Sequence, residues 1–144
     1  MIYYSSHPDL YKVIEMFNQM SQEDKKFLFF DNEQFFVKLT NLHYKVIKGQ
    51  CVMLLNEEGK LIGFTSFDLN NDSELFITEM YVDPKHRLGS LPVLLEMIIQ
   101  LKMYMRPIHF VVHLENKRMQ TLAKFIKAKV IKSKDVQIEY VIHI

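Results

Sequence analysis

The sequence predicts an α+β fold, a mixed sheet of about six or seven strands flanked by helices, with a parallel strand pair joined by a helix. Two observations carry this. Apolar residues recur at helical spacing before Gln50 and alternate in short runs from there to Val82. Beyond Pro84 helical and strand patterns take turns, which in a short chain calls for a crossover connection. The length, 144 residues, suits a single domain over 1–144 with a real core.

Residues 2–4 read as a short first strand. Residues 9–20 follow His7-Pro8 and place Leu10, Val13, Ile14 and Phe17 on one helical face. Ser21 is a candidate N-cap, with Glu23 and Asp24 in the first turn that acids favour. A second helix, or helix pair, is expected from there to about residue 42. It carries Phe27, Phe29, Phe30, Phe35 and Phe36, a cluster better suited to core packing than to a ligand pocket.

From Gln50 the period shortens. Cys51–Leu55 and Leu61–Leu69 form a hairpin around Asn56-Glu57-Glu58-Gly59, and a turn at Asn70-Asn71-Asp72-Ser73 leads into a third strand over 74–82. Pro84 stops this antiparallel meander. Residues 92–105 read as a helix with Leu94, Leu95, Ile98, Ile99 and Met103 inward. Residues 108–114 form a strand parallel to Leu75–Val82, joined to it by a right-handed crossover. A last helix over 116–128 carries Met119, Leu122 and Ile126 on one face. A closing strand pair ends in 136–144, where Val136, Ile138, Tyr140, Ile142 and Ile144 alternate.

The formal net charge of +1 argues against a nucleic acid or membrane surface as partner. One cysteine, Cys51, excludes a disulfide framework and points to a reducing compartment. The N-terminal residues lack a signal-peptide pattern, and the most apolar helix is interrupted by Glu96 and Lys102. A cytoplasmic location is expected.

The stretch from Leu75 to Leu95 runs from strand through polar turn to helix. Arg87, Gly89 and Ser90 precede the helix, where first-turn N–H groups and the helix dipole favour an anion. An ordinary strand-to-helix connection is the competing reading.

This stretch and the order of elements resemble the GNAT acyltransferase superfamily over nearly the whole chain. Met80-Tyr81-Val82-Asp83-Pro84 matches the family's strand ending of apolar-tyrosine-valine-x-proline. Arg87 lies at the family arginine, Leu95 at a buried leucine, Asn116 at an asparagine after the next strand, and Leu122 at an apolar helix position. The resemblance implies acetyl-CoA as co-substrate and no metal. It implies acetyl transfer to a primary amine, of a small molecule or a protein, by direct attack held in place by the site. By that resemblance Leu88, Gly89, Ser90 and Leu91 would offer N–H groups to the pyrophosphate, beside Arg87. The pantetheine arm would lie along Met80, Tyr81 and Val82, and an N–H near Val82 would support charge developing on the acyl oxygen.

The sequence departs from the family at several positions. Ser90 and Pro92 replace small turn residues, Lys127-Ala128 replaces a glycine-bearing pair, and Ala123 stands where many members carry a tyrosine acid. Tyr81, Tyr104 and Tyr140 are alternative acids. Glu79, on the strand expected to hold the thioester arm, is the candidate general base, its bland alternative being a solvated or lysine-paired glutamate. His113 is a second base candidate or a satisfied strand histidine, and His86 a phosphate donor or a loop residue. His109 and His113 lie too far apart along one strand for a shared metal. Lys117, Arg118, Lys124, Lys127, Lys129, Lys132 and Lys134 read as the solvated face of the last helix, or as an attraction for phosphates or an acidic partner. The alternative to an enzyme is a catalytically lapsed GNAT-fold binding or structural protein, of the short kind found in viral genomes.

Overall fold

The computed structural model describes residues 3–5, 9–23, 34–70, 73–86 and 91–143. Seven strands form one sheet in the order β1-β2-β3-β4-β5-β7-β6. In chain order the elements are β1 (Tyr3–Ser5), α1 (Leu10–Glu23), α2 (Phe35–Ile47), β2 (Cys51–Leu55), β3 (Leu61–Leu69) and β4 (Leu75–Val82). There follow α3 (Leu91–Lys102), β5 (Ile108–His113), α4 (Lys117–Phe125), β6 (Lys129–Lys134) and β7 (Gln137–Ile142). Strands β4 and β5 are the parallel pair, joined through α3, and the neighbours pair antiparallel, as the pattern predicts.

Asp9 starts α1, its carboxylate accepting from the N–H groups of Tyr11 and Lys12. The helix runs through Ser21, whose hydroxyl donates back to the Asn18 carbonyl, so Ser21 is a helix residue and not an N-cap. Burial on one face of α1 continues through Met20, and this overrides the local capping preference. Phe27, Phe29, Phe30 and Asp24 lie outside the described residues. Of the remaining aromatics, Phe35 stacks on Phe17 at 5.6 Å, whereas Phe36 is 71% exposed and does not join the core.

Val13, Phe17, Leu42, Val46, Phe64 and Tyr81 close a core between α1, α2 and one sheet face. The other face is covered by α3 and α4. The inward side of α3 is Val93, Leu94, Met97, Ile98 and Leu101, at i, i+1, i+4, i+5 and i+8. Ile99 and Met103, expected inward, are exposed, since the helix ends at Lys102 and its buried stripe is rotated by about one position. Leu95 is half-buried against the Leu54 and Val82 cluster.

The last helix is shorter than expected. It ends at Phe125 rather than at residue 128, and residues 129–134 form β6, so Lys129, Lys132 and Lys134 line an exposed strand rather than the helix face that the lysine run suggests. Residue 136 is outside the strand that the alternation predicts. Val136 lies in the β6–β7 hairpin, half exposed, while Tyr140 and Ile142 face the core.

Candidate functional site

Strand β4 carries the site because its pairing changes partway along. With β5 it is in register only at Leu75↔Ile108 and Phe76↔His109. Towards Val82 and His113 the two strands part, which leaves a splay between them. At the same level the β3 register shifts. Ser66 pairs with Glu79 and Phe67 with Ile77, so Thr78 is an extra residue opposite the junction. A bulge of this kind bends and over-twists its strand. That turns β4 away from β5.

The bulge also places two successive side chains on the α2 side. Ser66 meets both, sharing a hydrogen bond of 3.0 Å with the Thr78 hydroxyl and donating to the Glu79 carboxylate. Lys45 reaches in from α2, donating to Thr78 at 2.9 Å and lying 3.9 Å from the Glu79 carboxylate and 3.8 Å from Asp68. Glu79 is buried, at 6% exposure, and its carbonyl accepts from the Thr65 hydroxyl. A buried carboxylate is tolerable only when paired and hydrogen-bonded, and both conditions are met. Glu79 is therefore paired with lysine, and it also sits where the splay opens. Cys51 stands beside Ser66 on the neighbouring strand, and burial, with the Glu79 charge second, pushes its thiol up to about 12.

A cleft of about 290 Å³ adjoins the group on the α2 side, lined by Asn41, Tyr44, Lys45, Lys48, Gln50 and Asp68. Lys45 and Asp68 thus connect the cleft to Glu79.

Of the other expected residues, Met80 and Val82 face the α3 side, Met80 half-buried and Val82 in the core, and Tyr81 is buried among α1 and α2. The Tyr81 hydroxyl accepts from Gln19 at 3.3 Å. Arg87, Leu88, Gly89 and Ser90 lie outside the described residues, as does the side chain of His86, and Leu91 is the first residue of α3. Pro92 occupies the first turn of α3, where its missing N–H costs nothing. Asn116 is the N-cap of α4, its Oδ1 accepting from the Met119 N–H at 3.2 Å, so that oxygen has a structural task.

Ala123 is fully buried. Among the alternative acids, Tyr104 packs edge-on against Phe67 and donates to the Gly49 carbonyl at 3.5 Å, at the paired end of β4 rather than the open one. Tyr140 stacks on Phe110 at 5.2 Å. Burial pushes both phenols above their ordinary range. His113 accepts from the Glu115 N–H through Nδ1, which orients it into the turn after β5. His109 pairs with Glu74 and stacks on Phe76 at 4.7 Å, closing the paired end of the splay. Among the described residues no group of three or more His, Cys, Asp or Glu is placed to hold a metal, and no helix is long and apolar enough to cross a membrane.

The members that sequence reading missed are Lys45, Ser66 and Thr78. A lysine, a serine and a threonine at such positions look like ordinary helix and strand residues. Only the bulge brings them together, and nothing in the local sequence marks it.

The family model for the acetyltransferase (GNAT) family matches residues 10–89. No curated protein sequence matches this chain. Solved structures share the fold from end to end. The PaiA N-acetyltransferase of Thermoplasma acidophilum, in complex with coenzyme A, is 14% identical with a TM-score of 0.75, covering 100% of this chain and 99% of its own. A GNAT-family acetyltransferase of Staphylococcus aureus Mu50 is 13% identical with a TM-score of 0.73, covering 98% of each chain. The N-acetyltransferase PseH of Campylobacter jejuni, in complex with acetyl coenzyme A, is 12% identical with a TM-score of 0.66, covering 99% of each.

Proposed function

Because this chain belongs to the acetyltransferase (GNAT) family, we propose that it moves an acetyl group from acetyl-CoA to a primary amine, with Glu79 as general base. The observation that carries the reading is Glu79, a buried, hydrogen-bonded carboxylate on β4 where the strand leaves β5. The splay suits a slender arm laid along Met80, Tyr81 and Val82, and it narrows to a stop at the His109–Glu74 pair. Two of the solved structures that share the fold hold coenzyme A or acetyl coenzyme A, which supports the same ligand here.

Arg87, Leu88, Gly89, Ser90 and Leu91 are proposed to hold the pyrophosphate, on the pattern of the turn and the start of α3. Asn116 is proposed as a further contact, through atoms its cap does not use. Bound acetyl-CoA supplies an acyl group already activated as a thioester. The chain's own part is to exclude water, align the amine and receive its proton at the Glu79 carboxylate. The cleft of Asn41 and Asp68 gives the amine an approach from the α2 side, opposite the α3 side that Met80 and Val82 face. The acceptor is an amine of a small molecule or a protein. A buried, unpaired thiol at Cys51 supports a cytoplasmic setting.

Calorimetry with acetyl-CoA tests the ligand, and no heat at millimolar concentration would reject it. For the base, a thiol-release assay over a panel of primary amines should show transfer, with kcat reduced about 10²–10⁴-fold in Glu79→Gln and acetyl-CoA affinity kept. A second reading, binding without transfer, is favoured by Ala123, which leaves no hydroxyl at the family's acid position. Transfer that disappears in Glu79→Gln would reject that second reading.

A further inference from the structure

Glu79 is the end of a chain of hydrogen bonds whose direction the donor inventory dictates. An ionised carboxylate only accepts, and an ammonium only donates. Ser66 has a single hydroxyl proton, given to Glu79. The 3.0 Å contact between Ser66 and Thr78 must then use the Thr78 proton. Thr78 has only lone pairs left to offer Lys45, whose Nζ donates to it at 2.9 Å. The order is therefore Lys45 to Thr78 to Ser66 to Glu79. Such a chain polarises each member in turn and holds the last one in a single rotamer.

We infer that Lys45 is the positioning residue of Glu79, acting through the Thr78 and Ser66 hydroxyls to keep the carboxylate an acceptor aimed at the incoming amine. The inference rests on the proposed role of Glu79. Lys45 is a helix residue that has given up water, at 9% exposure, to reach strand β4. Its charge faces Glu79 and, on β3, Asp68. Cys51 on β2 is a further titratable neighbour, and Tyr44 of α2 and Lys48 at its C-terminus share the cleft with Lys45 and Asp68. The β4 bulge is what makes the chain possible, because without it Thr78 and Glu79, adjacent on the strand, would point to opposite faces of the sheet.

Two double-variant cycles decide the matter. In the first, thermal unfolding is followed for Lys45→Met, Glu79→Gln and the pair, which needs no turnover. Lys45 and Glu79 should be coupled, the pair losing clearly less melting temperature than the two single losses added together. Thr78→Val, on an exposed position, should weaken that coupling while leaving the fold intact. In the second cycle kcat is followed with the primary-amine panel. Lys45→Met should lower kcat about tenfold or more with acetyl-CoA affinity held, have no further effect in the Glu79→Gln background, and be restored by Lys45→Arg. Additive losses in the unfolding cycle overturn the inference, as does an undiminished kcat in Lys45→Met. A wild-type protein that transfers to no amine overturns the proposed activity instead, and the unfolding cycle still shows whether Lys45 holds Glu79.

Discussion

Cys51 shares a sheet face with Ser66 and Glu79, and its environment fixes its reactivity. Burial is the main cause that raises its thiol from 9.0 to about 12, the Glu79 charge adds to it, and Lys45 opposes it. The thiolate is the nucleophile, so the folded protein at pH 8 should resist iodoacetamide and react fully once unfolded in guanidinium. Rapid labelling of the native state, read by intact mass, would contradict this. The same shift has a sign for stability. The folded state holds the proton more tightly than the unfolded chain, so the contribution of Cys51 is complete below about pH 9 and falls away as pH rises toward about 12. Melting temperatures of wild type and Cys51→Ala should therefore converge or cross over that window. At this scale the sequence was partly legible. That Cys51 is a buried small hydrophobe follows from strand position, and the lysine pairing of Glu79 was legible there as the alternative to a base. The partner, Lys45, was not legible, because it lies on a helix whose outward neighbours Tyr44 and Ile47 give no hint that one lysine turns inward.

Helix α4 shows how an element ends when its sequence lacks the usual residue. Lys127 takes φ 58°, the left-handed position that glycine fills most easily, and the Ala128 N–H bonds back to the Ala123 carbonyl at 2.9 Å. An L side chain in that region costs roughly 1 kcal/mol. Lys127→Gly should therefore raise the melting temperature by a few degrees, and a lower value would show that the lysine has a compensating contact. The absence of glycine after this helix was visible in the sequence, yet the backbone adopts the glycine conformation regardless. The boundaries legible from periodicity were those of β2, β3 and β4, where alternation and turn residues agree. Those that were not, the run of α1 past Ser21 and the end of α4, lie where tertiary burial or a strained cap outweighs propensity. Asn116 illustrates the mixed case. Its place was expected for a ligand contact, and its Oδ1 caps a helix.

Across the whole molecule, β6 is an outer strand of the sheet, and all six of its residues are exposed. An edge strand offers unpaired backbone groups to any neighbour, and lysines are a common defence. Lys129, Lys132 and Lys134 stand beside the exposed Val130 and Ile131. Replacing Lys129 and Lys134 with valine should increase light scattering on concentration without lowering the melting temperature; unchanged solubility would rule out that defence. The overall architecture was legible because helix-period and strand-period segments follow in an order few topologies accommodate, down to the parallel pair. What lay beyond reach was the bulge, since its cause is a mismatch between two strands and not a feature of either. Its consequence is one of parity. On β4 the residues covered by α3 and α4 are odd-numbered before the bulge, Leu75 and Ile77, and even-numbered after it, Met80 and Val82. One inserted residue thus works as a frameshift within the strand. Deleting Thr78 would remove the bulge and leave Glu79 opposite Ser66 and facing Lys45, whereas a strand that kept Thr78 but lost the bulge would carry Leu75 and Glu79 on one face and turn Glu79 toward the apolar α3 layer.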